Sequence, residues 1–319
     1  MREPVMPGIG IVTNPNSRRN RRYPERMRRL GYILGQDDVY EMTNRVEDVA
    51  SVADEFKRND IDILALNGGD GTNHVTLTTF IKVYGDKPLP RIAFLRGGTM
   101  NNISGSVGVS GEPGRILLNL VERYYTGQEF DLTERDMLKL IDGDSVRYGF
   151  IFGNGIIANF LEVYYQHRSP SPLIAAQLVA QTVTSGILGG ELARRVTRPV
   201  RAELELDGAI RPLQNYGSIG VATIEQIGLG FRPFIYCEDS DGSFHVALFH
   251  DVGTTQIAKQ LPRVRFGRPA NPEVITNLST RRLVIRAEEE LLYTIDGDMH
   301  RSVGHDLTIE AGPRIQIIL

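Results

Sequence analysis

The chain has 319 residues, of which 41% are hydrophobic and 24% charged, and 36 basic against 39 acidic residues leave a net charge of −3. That length suits about two domains, the apolar fraction excludes a fibre or a disordered chain, and the near-balance of charge excludes a general polyanion binder. A single cysteine, Cys237, excludes a disulfide framework within the chain, and no run of about 18 consecutive apolar residues or apolar leader follows the N-terminus, so a cytoplasmic protein is expected.

The first third alternates strand-like and helix-like runs. Ile9–Thr13 reads as a strand, Arg21–Leu30 as a basic helix and Val39–Met42 as a second strand; Val46, Val49, Ala50, Ala53 and Phe56 then recur at helical spacing. Ile61–Leu66 is the third strand, Val75–Val83 a helix, Arg91–Leu95 the fourth strand and Glu112–Tyr125 a helix with one apolar face. This βαβ series predicts a mostly parallel sheet covered on both faces. Beyond Gly127 the period changes: Met137–Ile141, Val146–Phe152, Val200–Leu206, Tyr216–Ala222, Phe244–Phe249, Arg282–Ala287 and Leu291–Ile295 are short strand-like runs separated by turn residues, a pattern that predicts a β-sandwich. The domains are placed at 1–126 and 127–313. Within the second, residues 169–190 carry no charge at all, which fits either a buried helix or an apolar lid for a lipid substrate.

Glycine is abundant, 33 residues, and several sit where a chain approaches a ligand. Gly68-Gly69-Asp70-Gly71-Thr72-Asn73 follows the third strand and opens a helix, a place where small residues and the helix N-terminus favour an anionic group. A carboxylate in such a loop repels phosphate unless a cation lies between them, so Asp70 points to a magnesium-nucleotide rather than free phosphate. No Gly-Lys-Ser/Thr follows, and the glycines lack dinucleotide spacing. Gly97-Gly98-Thr99-Met100-Asn101-Asn102 follows the fourth strand and Thr13-Asn14-Pro15-Asn16-Ser17 the first, so three loops are expected at the carboxyl ends of parallel strands, where open α/β sheets bind ligands. Asp296-Gly297-Asp298, after Leu291–Ile295, is either a plain tight turn or a pair of carboxylates serving as proton acceptor and magnesium ligand.

Taken in order, the Asn14-Pro15 loop with Ser17, Thr43, Gly68–Thr72, Gly98-Thr99 with Asn101, Asp241-Gly242 and Asp296-Gly297-Asp298 resemble the diacylglycerol kinase catalytic-domain family, which includes bacterial soluble lipid kinases and the sphingosine and ceramide kinases. The resemblance covers nearly the whole chain. It implies an N-terminal α/β nucleotide domain, a C-terminal β-sandwich, an active site in the cleft between them, and a final strand, Arg314–Leu319, returning to the first domain. It implies ATP contacts from Asn14, Pro15, Ser17, Thr43, Gly68, Gly69, Asp70, Gly71, Thr72, Thr99 and Asn101. Asp296 is then the general base on a lipid hydroxyl, with Asp298 its catalytic neighbour; Asp70 and Asp298 serve magnesium, and Asp241 falls near a structural metal loop. Two positions depart from the family pattern: Asn102 stands where an Asp is usual, and Asp298 where a Glu is usual.

Seven arginines, Arg18, Arg19, Arg21, Arg22, Arg26, Arg28 and Arg29, crowd twelve positions, and Arg194, Arg195, Arg198 and Arg201 follow the uncharged segment. The first group reads as a solvated basic helix or as Arg18 or Arg19 on nucleotide phosphates with the others on an anionic membrane, and the second, beside the uncharged segment, as a peripheral membrane-docking surface; the negative total charge and scarce aromatics argue against nucleic acid. The six histidines show no metal-ligand spacing, and His74 reads as a packing residue at a helix start. The expected function is ATP-dependent phosphorylation of a lipid alcohol of diacylglycerol, sphingoid-base or ceramide type by a peripheral membrane protein. The rivals are an NAD kinase-like enzyme and a catalytically weak nucleotide- or lipid-binding regulator; neither acceptor nor oligomeric state is legible.

Overall fold

A computed structural model describes residues 8–34, 38–43, 45–167, 170–237 and 242–319. The chain divides into two compact units, one holding the chain up to Arg135 together with Arg314–Leu319, the other Asp136–Pro313.

In the first unit, β1 (Ile9–Thr13) pairs in parallel with β2 (Val39–Met42) on one side and β3 (Ile63–Asn67) on the other. Beyond β3 lies β4 (Arg91–Phe94), and Ile317, near the end of the chain, pairs in parallel with Ile92. Every residue of β1 and β3 is buried, as continuous apolar runs in a sheet covered on both faces should be. Leu117, Leu120 and Tyr124 of α6 (Pro113–Tyr125) cluster with Ile9, Ile11, Ile63 and Ala65. Two further helices, α3 (Asp48–Arg58) and α4 (Asp70–Tyr84), pack together through an edge-to-face contact of Phe56 and Phe80, ring centroids 5.8 Å apart.

The basic run expected as one helix, Arg21–Leu30, is instead two short ones, α1 (Arg18–Arg22) and α2 (Pro24–Arg28), followed by a 3-10 turn. Pro24 accounts for the break: it lacks an N–H and drives the preceding Tyr23 out of the helical region, to φ −131° and ψ 62°. One more short helix, α5 (Asn102–Ser106), follows the second glycine loop.

The second unit is built from antiparallel strands. Its β5 (Leu132–Asp142) and β6 (Ser145–Gly149) form a hairpin. β7 (Ile151–Asn154) pairs with the second half of β9 (Ala209–Ala222), whose first half pairs with β8 (Val200–Leu206). β10 (Phe244–His250) joins β9 to β11 (Ile275–Thr280); β12 (Arg282–Ala287) joins β8 to β15 (Asp306–Ile318). β13 (Leu292–Ile295) lies between β7 and β14 (Asp298–Arg301). Phe152, Leu204, Tyr216, Val221, Val246, Ile285, Tyr293 and Leu307 share one core. The run expected as one strand, Val146–Phe152, is interrupted at Phe150, between β6 and β7.

Among the described residues this unit holds four α-helices, α7 (Ile156–Tyr165), α8 (Pro172–Ile187), α9 (Glu191–Val196) and α10 (Thr254–Arg265). The uncharged segment forms α8, but it is only half a core helix. Ala175, Leu178 and Thr182 are buried, while Leu173, Ile187 and, just beyond the helix, Leu188 are 69%, 67% and 78% exposed. Among the described residues no helix is long and apolar enough to cross a membrane.

Removing the Phe56 ring from its closed site between sheet and helix leaves a cavity. Phe56→Ala should lower the unfolding free energy by about 3–5 kcal/mol in urea denaturation; a loss below about 1 kcal/mol would contradict this packing.

Candidate active site

The strand order of the first unit, with β1 flanked by β2 and β3, makes the chain leave neighbouring carboxyl ends in opposite directions and opens a crevice there. The loops after β1, β3 and β4 converge at that point through a dense set of hydrogen bonds. Asn14 N–H donates to Asn67 O (3.1 Å), and Asn14 Nδ2 donates to Thr72 Oγ1 (2.8 Å). Ser17 Oγ donates to Gly97 O (3.0 Å), which also accepts from Arg19 N–H (3.3 Å). Pro15 lies half-buried between these two anchors, and the Thr43 N–H after β2 donates to Thr13 O (3.0 Å).

Gly68 and Gly69 precede α4, and Gly71 and Thr72 lie in its first turn. A Cβ on Gly98 would stand 2.3 Å from Gly69 Cα, so the second and third loops touch backbone to backbone and any side chain would part them. Asn101 holds the third loop closed from within: its Oδ1 accepts from Gly98 N–H (3.0 Å), and it adopts φ 50°, a region Asn tolerates better than most residues. Thr99 stands half-buried between them. Buried His74 lies on the inner side of α4, as a packing residue should.

Asp70 ties the second loop to the third. Its Oδ2 accepts from Asn102 N–H (3.0 Å) and its Oδ1 from Ile103 N–H (3.2 Å). Burial pushes its carboxyl up to about 6, against the pull of those two amides and of the Arg96 guanidinium. Asn102, which replaces the expected Asp, contributes a backbone donor to this arrangement. Among the described residues no three His, Cys, Asp or Glu side chains cluster as a metal cage would require. A lone carboxylate with two amide donors fits magnesium only as one member of a shell completed by nucleotide phosphates and water, which is the usual way that ion is held.

In the second unit, Asp296 and Gly297 form the two-residue turn between β13 and β14, where Ile295 pairs with Asp298. Both have positive φ, 49° and 93°, the signature of the Asp-Gly hairpin. So the bare tight-turn reading of the motif holds for its backbone, but the Asp296 side chain is buried rather than solvated. Its Oδ1 accepts from Phe150 N–H (3.0 Å) and Ile151 N–H (2.9 Å), while Asp296 N–H donates back to Ile151 O (2.9 Å). The interruption between β6 and β7 thus serves the carboxylate. The Tyr165 hydroxyl at the end of α7 donates to Gly297 O (2.9 Å) from the other side. Asp298 is half-buried, and burial raises its carboxyl above the ordinary range. His300 stacks at 5.4 Å on Tyr293, whose hydroxyl donates to buried Asp142 (2.9 Å), so it belongs to the packing beneath the turn. Asp241 lies outside the described residues.

Three contributors carry no signal as motifs. Buried Asn20 on α1 donates from one amide to both Asn14 O (2.9 Å) and Asn67 O (3.0 Å), locking two loops together, yet in sequence it is one polar residue in an arginine run. Gly149 abuts Asp296 so closely that a Cβ would stand 2.7 Å from Oδ2 and 2.6 Å from Ile295 Cγ1. Tyr165 is an ordinary aromatic at a helix end. Only Gly149 could have been suspected, as a glycine inside a strand-like run.

Gly149→Ala should displace the Asp296 carboxylate, lowering stability by about 1–3 kcal/mol and depressing turnover more than it depresses nucleotide affinity; unchanged turnover in a folded variant would contradict the contact. For Asp70 the sign follows from a folded-state value near 6 against 3.8 for the free side chain. Between those values the native state holds the extra proton, so this group's contribution to stability falls as pH rises from about 4 to about 6. Urea unfolding across that range, without metal or nucleotide, should show Asp70→Asn removing this decline; an identical slope in the variant would contradict it.

Residues 9–129 match the diacylglycerol kinase catalytic domain, and residues 190–318 match the YegS C-terminal NAD kinase beta sandwich-like domain. A diacylglycerol kinase structure from Bacillus anthracis is similar over 99% of this chain and 98% of its own, with a TM-score of 0.65 at 15% identity. A further Bacillus anthracis structure reaches a TM-score of 0.71 at 16% identity, covering 100% and 98%. At such identities these likenesses show a shared fold across the full length. No curated protein matches the chain. With the first match spanning the converging loops and the second spanning the Asp296 turn, the chain carries an N-terminal diacylglycerol kinase catalytic domain followed by a YegS C-terminal beta sandwich-like domain.

Proposed function

We propose that this protein transfers the γ-phosphoryl group of ATP to the hydroxyl of a lipid alcohol. The observation that carries the reading is the convergence of the loops after β1, β3 and β4, joined by the Gly69–Gly98 backbone contact and by Asp70, at the switch point of the parallel sheet. Asn14, Pro15, Ser17, Thr43, Gly68–Thr72, Thr99 and Asn101 form the nucleotide site. The N–H groups at the start of α4, a helix of fifteen residues, favour the phosphates there. Magnesium bound with the nucleotide would supply charge neutralisation; Asp70 and Asp298 are the carboxylates that would serve it, and Asp241 would serve a separate structural ion.

In the transfer, the lipid hydroxyl oxygen forms a bond to the γ-phosphorus as the bond from phosphorus to the β–γ bridging oxygen breaks. The hydroxyl proton passes to the Asp296 carboxylate, and ADP departs with the bridging oxygen. The protein's work is positioning, and the Phe150 and Ile151 amides hold the Asp296 carboxylate for it. Lipid alcohols of this kind lie in membranes, so the protein works as a peripheral membrane enzyme.

The test is phosphotransfer from γ-labelled ATP to diacylglycerol, a sphingoid base and ceramide. One of them should become labelled, and Asp296→Asn should lower kcat by about 10²–10⁴-fold with little change in the KM for ATP. Label appearing only with NAD as acceptor, or a fully active Asp296→Asn, would overturn the assignment.

A further inference from the structure

The two arginine groups, alike in sequence, have different electrostatic fates. In the second unit Arg195 pairs with Glu162 (3.0 Å), Arg198 with Glu289 (3.2 Å) and Arg201 with Glu288 (3.3 Å), around a cavity of about 540 Å³ that Glu290 and Arg301 also line. Arg194 is turned back onto Gly189 O (2.8 Å). Four acidic side chains therefore offset the cations there, and little net charge faces outward.

In the first unit the balance is different. Asn20, Met27 and Leu30 are buried, so α1 and α2 are anchored on one side and present Arg21, Arg22, Arg26, Arg28 and Arg29 as exposed residues on the other. Glu112 engages Arg19 (3.1 Å) and Arg26 (3.2 Å), and Glu25 engages Arg28 (3.1 Å). Arg21, Arg22 and Arg29 have no acidic partner among the described residues. Leaving Arg18 aside, six arginines against Glu25 and Glu112 leave a local surplus in a protein whose total charge is −3. Tyr23 lies under the guanidinium groups of Arg22 (5.5 Å) and Arg26 (5.0 Å), and Tyr32, just beyond, is 88% exposed. Arginines interleaved with tyrosines, whose rings are apolar with a polar tip, suit the headgroup layer of a bilayer.

We propose that the α1–α2 face docks this protein on an anionic phospholipid bilayer, and that the Arg194–Arg201 group takes no electrostatic part in docking. The proposal locates the membrane contact of the lipid-kinase reading and rests on that reading for its purpose. A bilayer is favoured over RNA because the charges stand on exposed side chains, the cavity between α2 and the start of α6 is only about 250 Å³, and among the described residues the face offers Tyr23 and Tyr32 rather than a series of stacking rings.

The test is sedimentation of the full chain with vesicles of phosphatidylglycerol and phosphatidylcholine, against phosphatidylcholine alone, without ATP or any lipid alcohol. Binding should require the anionic lipid and weaken with added salt. Replacing Arg21, Arg22 and Arg29 together by Gln should weaken it about 100-fold, since each basic residue near such a surface contributes comparably. The corresponding Lys replacements should retain most of it, and Gln at Arg195, Arg198 and Arg201 should leave it close to wild type. Equal binding to neutral vesicles, wild-type binding by the first Gln variant in folded form, or tighter binding to an RNA oligonucleotide than to anionic vesicles would each overturn the proposal. Because Asp296→Asn should bind these vesicles like wild type, failure of docking and failure of phosphotransfer are read in separate measurements.

Discussion

The contact between Gly69 and Gly98 is the constraint on which the candidate nucleotide site depends. It lets the loops after β3 and β4 meet backbone to backbone, with no side chain between them. Everything around it reinforces that approach: Asp70 spans the two loops by accepting the Asn102 and Ile103 amides, Asn101 closes the second of them, and Asn20 draws in the loop after β1. The parallel sheet supplies the geometry, because its strands are buried on both faces and cannot slide without exposing apolar surface.

The second unit solves a related problem by a different device. A buried carboxylate needs donors, and side chains that could supply them are costly to immobilise. Here two peptide groups do so, that of Phe150 in the break between β6 and β7 and that of Ile151 at the start of β7. Gly149 leaves room for the carboxylate, and Tyr165 braces the far side of the turn. The result is an acidic group whose position is set by backbone, the least mobile material a protein has.

Much of this was legible in the sequence where local pattern and tertiary role coincide. The βαβ series, the three loops after strands and the Asp-Gly turn are all short-range signals, and the corresponding elements form where the periodicity places them. Legibility failed where the chain is governed by distant partners. Val146–Phe152 reads as one strand because its residues are uniformly strand-like; only Asp296, far along the chain, explains why it breaks. Pro24, by contrast, was a local signal that should have divided the basic helix. The uncharged α8 segment was ambiguous for a physical reason, since a helix with one buried and one exposed apolar face has the composition of either reading. The arginine groups were indistinguishable until their glutamate partners, almost all remote in sequence, were in place.

On the proposed reading, loops that would take a magnesium-nucleotide, a carboxylate that would accept a proton and a cationic face that would meet a bilayer belong to an enzyme bringing ATP to an alcohol at a membrane surface. The most direct measurement follows the transferred atoms. With ATP carrying heavy oxygen in its non-bridging γ positions and vesicles containing a lipid alcohol, mass spectrometry should find a lipid monophosphate that retains all of that label, with unlabelled ADP. Heavy label confined to inorganic phosphate, or found in phosphorylated NAD and in no lipid, would contradict the account.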